Sequence, residues 1–478
     1  MQTEQERTGS YSVPEPPPRL ITGHGVIIAV YALVAVAVGI LVLFAKPAFI
    51  AGALAALLVG VLIALYPYIG LICYYIDIVV RPEELFTSLA PLHPARAIAS
   101  GLLLSTLIHK KYSGESFNFG RDRMSRHFLF FIAAMFATVP LAFWKSDSLQ
   151  FIMDFLWVYV YYLLLINILT TEFRLKGFVW LMMLATGYNA ISSAIGYFSG
   201  TLVIAQGIER AAGLTGTDPN TLAVNLLLGI PFLYFSLFWV RNVLLRLVPL
   251  VFLTAAIFTI AITGSRSGVI GLVAAALFVW LLSKRKAISG VIAVLVLIAS
   301  WFALPPQYQE RYSTIFAEEK DSSTQGRLDA WKAGWGMFKA NPLTGIGVDG
   351  FPYAYGSGEY SETRSYLRPH NMYIQLIAEM GVLGVVTFGS LVWYMIATNV
   401  RLRRQLAKAG KPEHFLVWVS HSITTATYIL FVTAMFGHSL FRGHWYSSAA
   451  LTLVLMTLTA KVLSDQVSQD APSAASPR

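Results

Sequence analysis

Apolar segments alternate with short polar segments along most of the chain. About 14 apolar runs are present, at residues 22–44, 47–66, 68–81, 95–109, 127–144, 150–170, 177–198, 221–240, 242–263, 267–283, 287–304, 371–399, 415–437 and 444–464. An α-helix needs about 20 apolar residues to cross a bilayer, and most runs approach that length. The runs at 68–81 and 95–109 are short, so they are either spans or re-entrant or interfacial segments. The pattern predicts an all-α polytopic membrane protein with about 12 to 14 transmembrane helices.

One long polar segment interrupts this pattern and divides the chain. We expect a disordered cytoplasmic N-terminus, a membrane domain, a large periplasmic loop with an amphipathic helix, C-terminal membrane helices and a disordered cytoplasmic tail. These correspond to residues 1–20, 21–304, 305–370, 371–466 and 467–478.

The predicted amphipathic helix lies in the second half of the polar segment. Trp331, Trp335 and Phe338 recur at helical spacing, and the pattern stops at Asn341-Pro342. Two interpretations are equally supported. The helix either lies at the membrane surface with its aromatic side chains among the headgroups, or packs these side chains against the rest of the protein.

Composition supports the membrane class and excludes others. With 478 residues, 56% hydrophobic and 13% charged, the chain is too apolar for an ordinary soluble protein. Its one cysteine, Cys73, lies in an apolar run, which excludes a disulfide framework and a cysteine-based metal site. No acidic or histidine residues in the polar segment show metal-ligand spacing, so we expect no metal and no other cofactor.

The basic residues predict the orientation. They are concentrated in alternate short loops, which the positive-inside rule assigns to the cytoplasm together with both termini. These residues are Lys110, Lys111, Arg121, Arg123, Arg126, Arg174, Lys176, Arg241, Arg246, Lys284, Arg285, Lys286, Arg401, Arg403, Arg404, Lys408 and Lys411. Some of the net charge of +10 thus reflects topology, which argues against nucleic acid as a partner. Arg210, Arg266 and the segment 305–370 are then predicted on the opposite, extracytoplasmic face.

Three predicted helix N-termini place candidate binding and catalytic residues on that face. Asp218-Pro219 is a cap-and-start pair shortly after Arg210, Arg266 lies in a Gly-Ser-Arg-Ser-Gly turn, and His370 precedes an apolar helix. Helix N-termini attract anions, and arginines bind phosphate. We therefore interpret 341–381 as half of an active site and the arginines as its phosphate-binding part. The structural alternatives are that the arginines extend to lipid headgroups and that His370 is a helix cap. The other histidines are expected to be structural.

The order of these motifs resembles the O-antigen ligase and polymerase superfamily. The resemblance covers roughly residues 205–385. It rests on Arg210-Ala211-Ala212-Gly213, Asp218-Pro219-Asn220-Thr221-Leu222-Ala223, Ser265-Arg266-Ser267-Gly268, Trp331, Pro342-Leu343-Thr344-Gly345-Ile346-Gly347, His370-Asn371 and Glu379-Met380-Gly381.

The resemblance implies a metal-independent, inverting glycosyltransferase of the bacterial inner membrane. Its donor would be a glycan on undecaprenyl diphosphate, and its acceptor a lipid A core or another lipid-linked glycan; membrane lipids surround it. By position, Arg210 and Arg266, with Ser265, would bind the diphosphate and His370 would be the catalytic base. Arg327 and Arg368 are further candidates in the loop.

Several alternatives remain open at this point. A polytopic solute or inorganic-carbon transporter and a scaffolding membrane protein would have similar hydropathy, but neither explains arginines and a histidine on one face. The sequence does not separate a ligase from a polymerase. In either enzyme, the loop aromatics are candidates for stacking on sugars or lining a lipid path; they are Trp331, Trp335, Phe351, Tyr353 and Tyr355.

Overall fold

The computed structural model describes eight segments of the chain: residues 47–85, 93–205, 208–213, 218–283, 286–302, 304–313, 322–362 and 366–470. The predicted disordered termini and the first apolar run, 22–44, lie outside these segments, apart from the first residues of the tail. The chain divides into two units, Met1–Leu62 and Ile63–Arg478. The first contains most of α1 (Pro47–Leu65), and the second contains all elements described below.

The described elements are almost all helical. After α1 come α2 (Pro67–Val80), α3 (Pro82–Leu85), α4 (Pro94–Tyr112), α5 (Arg123–Thr138), α6 (Lys145–Ile168), α7 (Glu172–Phe198), β1 (Val203–Ala205), β2 (Ile208–Arg210), α8 (Pro219–Trp239), α9 (Val243–Ile262), α10 (Arg266–Leu282), α11 (Lys286–Phe302), α12 (Pro306–Ser313), α13 (Ser322–Ala340), α14 (Phe351–Ser357), α15 (Met372–Lys408), α16 (Phe415–Thr433) and α17 (Gly443–Asp470). Short 3₁₀ turns follow α5 and α16.

Eight of the described helices are long and apolar enough to cross a membrane, namely α5, α6, α7, α8, α9, α15, α16 and α17. The apolar helices α2 and α10 are shorter. The chain therefore has the character of a multi-pass α-helical membrane protein. The predicted total of 12 to 14 spans, and the side of the membrane on which the long loop lies, stay predictions.

Helix α8 begins where the sequence predicts. Asp218 is its N-cap and accepts a hydrogen bond from the amide of Thr221 (3.0 Å), while Pro219 occupies the first helical position. Proline is favoured there because its missing N–H would have no partner within the helix. The apolar face of α8 packs into a core with α7, α9, α10 and α16.

A two-stranded antiparallel hairpin is an exception to the all-α prediction. Strands β1 and β2 pair so that Val203 lies opposite Arg210. The next amide, that of Ala211, donates to the carbonyl of Ile262 at the end of α9 (3.2 Å). Arg210 thus belongs to an extended segment attached to the end of a long helix.

Helix α15 is interrupted near its start. Gly381 has φ 58° and ψ −153°, a backbone conformation that only glycine adopts readily. The carbonyls before the break, of Ala378 and Glu379, accept from the amides of Ile346 (2.9 Å) and Gly347 (3.1 Å). Two amides after the break donate to carbonyls of the same loop: Val382 to Pro342 (2.8 Å) and Leu383 to Leu343 (3.0 Å).

These four hydrogen bonds, here called the interlock, join residues 342–347 to the break in α15. They give two segments of the motif pattern, residues 342–347 and 379–381, a structural role. In a continuous helix the four groups would pair with each other as i to i−4 bonds. Here residues 342–347 replace the missing turn and provide hydrogen-bond partners for all four of these groups. The loop is also held by the amide of Phe143, which donates to Ile346 (2.7 Å), and by the Ser148 hydroxyl, which donates to the Val348 carbonyl (2.6 Å).

Candidate active site

Arg210 is fixed by its neighbours rather than extended toward lipid. Its side chain is almost fully buried. Nε donates to the carbonyl of Thr263 (2.6 Å), and Nη2 donates to Oδ1 of Asn220 (3.0 Å). Burial, followed by the nearby positive charge of Arg311, lowers the pKa of Arg210 to about 10, so the guanidinium remains charged at neutral pH. A charge held in this way is oriented for a ligand.

Arg266 is the first residue of α10, directly after the turn that receives Arg210. The N-cap is Ser265, whose hydroxyl accepts from the amide of Gly268 (3.1 Å) and lies 3.1 Å from the Ser267 hydroxyl. Ser265 is fully buried and Arg266 is partly buried. The observed contacts of Ser265 are those of a helix cap, and its part in diphosphate binding stays a prediction.

Arg311 is a third cation at the same turn, and the sequence analysis missed it. Its Nε donates to the carbonyl of Gly264 (2.7 Å). Helix α12 is held there by two tyrosine hydroxyls: Tyr312 donates to Ala261 (2.6 Å) and Tyr308 to Glu209 (2.9 Å). Arg311 lies in an ordinary polar stretch, so no local signal distinguished it. The structure thus gathers Arg210, Arg266 and Arg311 around one turn.

His370 lies directly before the N-cap of α15. Asn371 is that cap and accepts from the amides of Tyr373 (2.9 Å) and Ile374 (3.2 Å). His370 itself has φ 48°, which is costly for a residue with a Cβ. The carbonyl of Pro369 accepts from Nε1 of Trp331 on α13 (2.9 Å), which holds the backbone on the N-terminal side of the histidine.

The imidazole of His370 is half-buried in a mainly positive environment. Burial lowers its pKa, the charges of Arg327 and Arg368 lower it further, and the carboxylate of Asp218 opposes them. The ring packs edge to face against His438, with centroids 5.3 Å apart. The electrostatics therefore favour a neutral imidazole at neutral pH, as a general base requires.

Asp218 connects the two halves of the site. Burial lowers the pKa of Arg210, His370, His438 and Arg442, and the negative charge of Asp218 opposes this lowering in all four. The cap of α8 is thus within electrostatic reach of both the arginine and the histidine that the sequence analysis proposed. The hydrogen bond from Arg210 to Asn220 joins β2 to α8, and the charge of Asp218 reaches the residue before the N-cap of α15.

The two loop candidates have different surroundings. Arg327 lies on α13 one turn before Trp331, and its charge acts on His370. Arg368 forms an ion pair with Asp349 (2.6 Å), although its charge also reaches His370 and His438. Arg327 is thus the candidate with the more direct electrostatic influence on His370, and the ion pair helps to anchor the loop.

His438 and Arg442 also belong to this region, although the sequence analysis gave them no functional role. Both lie in the short segment between α16 and α17. Burial, His370 and Arg442 lower the pKa of His438 to about 4, so this ring stays neutral. Neither residue has a motif around it, which is why sequence alone did not indicate them.

The five loop aromatics that are candidates for stacking on sugars or lining a lipid path differ in their surroundings. Phe351 and Tyr355 are buried in a core beneath α13. Tyr353 stacks on Trp144 (5.5 Å), and Trp335 is half exposed and packs on Phe338. Helix α13 spans the stretch in which the amphipathic helix is predicted, and one of its faces packs against α14, α15 and the loop. The position of this helix at a membrane surface stays a prediction.

A cavity of about 430 Å³ opens beside the site, between α2, α6, α7, α8 and α17. Its lining includes Gly213, shortly after Arg210, and two arginines, Arg81 and Arg442. The rest of the wall is mainly apolar or aromatic and includes Met182 and Phe232. Within the described part of the chain, no group of three or more His, Cys, Asp or Glu side chains is arranged to hold a metal ion.

Comparison with known families confirms the resemblance over part of the chain. Residues 250–389 match the family model described as O-antigen ligase. The match includes Arg266, Arg327, Arg368 and His370, whereas Arg210 precedes it. No curated protein matches the chain. The match supports an enzyme of the glycosyltransferase type that acts in surface polysaccharide assembly.

Proposed function

We propose that this chain, which carries an O-antigen ligase domain over residues 250–389, transfers a glycan from undecaprenyl diphosphate to a sugar hydroxyl. The main observation in favour is the grouping of positive charge. Arg210 and Arg311 both donate hydrogen bonds to carbonyls of the turn that leads into Arg266. Asp218 lies close enough to influence both Arg210 and His370.

The arginines would stabilise the leaving group. When the bond between C1 of the donor sugar and the diphosphate oxygen breaks, negative charge develops on the diphosphate. Arg210 is already oriented by Thr263 and Asn220, so little reorganisation accompanies the reaction. Guanidinium groups bind phosphate oxygens bidentately and supply positive charge without a metal ion. The N-terminus of α10 adds its dipole.

His370 would act as general base. Its neutral imidazole takes the proton of the acceptor hydroxyl while that oxygen attacks C1, and the diphosphate departs with the bonding electron pair. Direct displacement inverts the anomeric centre. The energy comes from the sugar–phosphate bond, so neither ATP nor an ion gradient is consumed.

Three substitutions test this assignment. His370→Ala, Arg210→Ala and Arg266→Ala are each expected to reduce transfer from purified donor by about 100-fold or more, the range expected for loss of a base or charge-stabilising group. Arg404→Ala is the matched control, because this exposed arginine lies near the far end of α15. Wild-type activity of His370→Ala would remove it as the base. Activity lost in EDTA and restored by a divalent ion would contradict the metal-free mechanism.

Location in the bacterial inner membrane, with the active site on the periplasmic face, is part of the same proposal. After replacement of Cys73, single cysteines at Ser357 and Ala409 should respond differently to an impermeant thiol reagent in cells with a permeabilised outer membrane. Ser357→Cys should be labelled and Ala409→Cys protected. The reverse pattern would refute the orientation.

Ligase and polymerase differ in the acceptor, a lipid A core or the end of another lipid-linked glycan. Deletion of the gene separates them on a gel of surface glycans. Bare core with accumulated long lipid-linked chains indicates a ligase, and single repeat units attached to core indicate a polymerase. Unchanged glycans, together with solute uptake by vesicles that does not require His370, would favour a transporter instead.

A further inference from the structure

Three aromatic rings lie along one face of the short helix α14. Residues three apart share a face of a helix, and Tyr353 and Gly356 are such a pair. Tyr353 stacks on Trp144, with ring centroids 5.5 Å apart. A Cβ added at Gly356 would lie 2.6 Å from Cε1 of Tyr366, so the Tyr366 ring lies directly against this glycine. Trp144 is 50% exposed and Tyr366 is 70% exposed, so these rings, here called the aromatic strip, are open to a ligand.

The aromatic strip is attached to the loop that carries His370. Tyr366 comes four residues before His370, so at most about 14 Å separates their Cα atoms. At the other end of the strip, the amide of Phe143, next to Trp144, donates to the carbonyl of Ile346 in the interlock (2.7 Å). The strip is therefore held by the same loop as the proposed base and lies within a few sugar rings of it.

A carboxylate lies beside the rings. The hydroxyl of Tyr353 is hydrogen-bonded to Asp147, and the hydroxyl of Ser146 donates to Oδ1 of the same carboxylate (3.1 Å). Asp349 lies within electrostatic reach of Asp147. Carboxylates accept hydrogen bonds from hydroxyl groups, and the apolar face of a sugar ring packs on an aromatic ring. Because negative charge repels lipid phosphates, this combination fits a hydroxyl-rich ring better than an anionic lipid surface.

We propose that the aromatic strip and Asp147 bind sugar rings of the glycan substrate, next to the sugar that reacts at His370. This inference rests on the proposed function, which brings a glycan to this loop. Sugar rings stack on Trp144 and Tyr366, and their hydroxyls donate to Asp147. The donor glycan and the acceptor glycan both have this chemistry. None of these residues is among the proposed catalytic residues, so their loss should affect affinity rather than kcat.

Binding of free glycan to the purified full-length protein tests the proposal. The probe is the surface glycan of the source strain, released from lipid and cut into short oligomers of its repeat unit. Binding is measured by microscale thermophoresis in detergent. The probe carries neither lipid nor diphosphate, so its binding does not depend on Arg210 and Arg266.

Trp144→Ala and Tyr366→Ala should each weaken oligomer binding by about 2- to 12-fold, the range for one aromatic contact. Asp147→Asn should weaken it by a similar factor. Trp144→Phe and Tyr366→Phe keep a ring and should retain most binding, so a rescue by phenylalanine separates ring stacking from a folding defect. Trp393→Ala is the matched control, because Trp393 is also exposed (74%) but lies on α15 well beyond the break at Gly381.

Steady-state transfer separates the two sources of sugar. A higher KM for the lipid-linked donor in Trp144→Ala and Tyr366→Ala assigns the aromatic strip to the donor glycan. A higher KM for the acceptor assigns it to the acceptor glycan. In both cases kcat should change little.

Wild-type oligomer binding by both Trp144→Ala and Tyr366→Ala would overturn the inference and would indicate that the rings lie at a membrane interface, where aromatic side chains are common. So would an equal loss in Trp393→Ala, or no oligomer binding by the wild-type protein. Unchanged oligomer binding in the strip variants, with transfer still dependent on His370, would refute only this inference. Weakened oligomer binding in these variants of a protein that transfers no glycan would support the strip and refute the proposed reaction.

Discussion

Trp331→Phe tests whether α13 positions His370. The change keeps an aromatic ring and removes the indole N–H, which donates to the carbonyl of Pro369 over 2.9 Å. That carbonyl belongs to the peptide unit directly before His370. We expect the histidine to remain present but to be held less firmly.

The expected fall in kcat follows from two opposing free-energy contributions at His370. A left-handed backbone at His370, with φ 48°, costs roughly 1–2 kcal/mol for a residue with a Cβ. One hydrogen bond contributes about 0.5–1.5 kcal/mol net. Its loss therefore removes much of the stabilisation that offsets the strained conformation. Because about 1.4 kcal/mol corresponds to tenfold in rate, kcat should fall by about 2- to 12-fold while KM changes little.

The assay is single-turnover and steady-state transfer from purified donor by full-length protein in detergent. Trp335→Phe is the matched control, because Trp335 is half exposed on the same helix and its ring packs on Phe338, with centroids 5.3 Å apart. It should retain wild-type kcat. Wild-type kcat in Trp331→Phe, or an equal loss in Trp335→Phe, would show that the indole N–H of Trp331 does not position His370.

Three further predictions concern charge and backbone. Positive charge from Arg327 lowers the pKa of His370, so Arg327→Gln should move the acid limb of the kcat/KM profile to higher pH. An unchanged acid limb would show that the charge of Arg327 does not affect the pKa of His370. Asn220→Ala removes a hydrogen bond to Arg210 (3.0 Å) and should reduce transfer by about 2- to 12-fold. A titration of the donor should reveal this loss. Full activity would show that the Asn220 amide does not orient the guanidinium. Gly381→Ala should lower the midpoint temperature of thermal unfolding in detergent, because the added Cβ would lie 2.5 Å from the Pro342 carbonyl oxygen. The backbone conformation at this position also costs a residue with a Cβ roughly 1–3 kcal/mol. An unchanged midpoint would contradict the structural role of the interlock.

The sequence by itself determined the class of the protein and most of its helix boundaries. Apolar runs of membrane-spanning length leave a helix as the main way to satisfy the backbone. Asp218-Pro219 marked the start of α8 because the capping interaction is local, between the Asp218 side chain and an amide three residues later. The spacing of Trp331, Trp335 and Phe338 indicated α13 for the same reason.

Tertiary structure decided which of the polar residues meet. Arg311 reaches the turn before Arg266 because α12 folds back onto it, and His438 reaches His370 because α16 returns the chain to the same end of the helices. These pairs are separated by tens of residues, and no local pattern encodes their distance. A lone arginine or histidine therefore looked like any other loop residue.

Burial was likewise decided only in three dimensions. Phe351 and Tyr355 have the residue types of a sugar-binding surface, yet they lie in the core beneath α13, because an aromatic side chain gains more from packing than from remaining exposed. The apolar run at 371–399 indicated one helix, but α15 is broken at Gly381 and completed by backbone groups of residues 342–347. The sequence contained both halves of this interlock, and only the folded chain shows that each satisfies the other's hydrogen bonds.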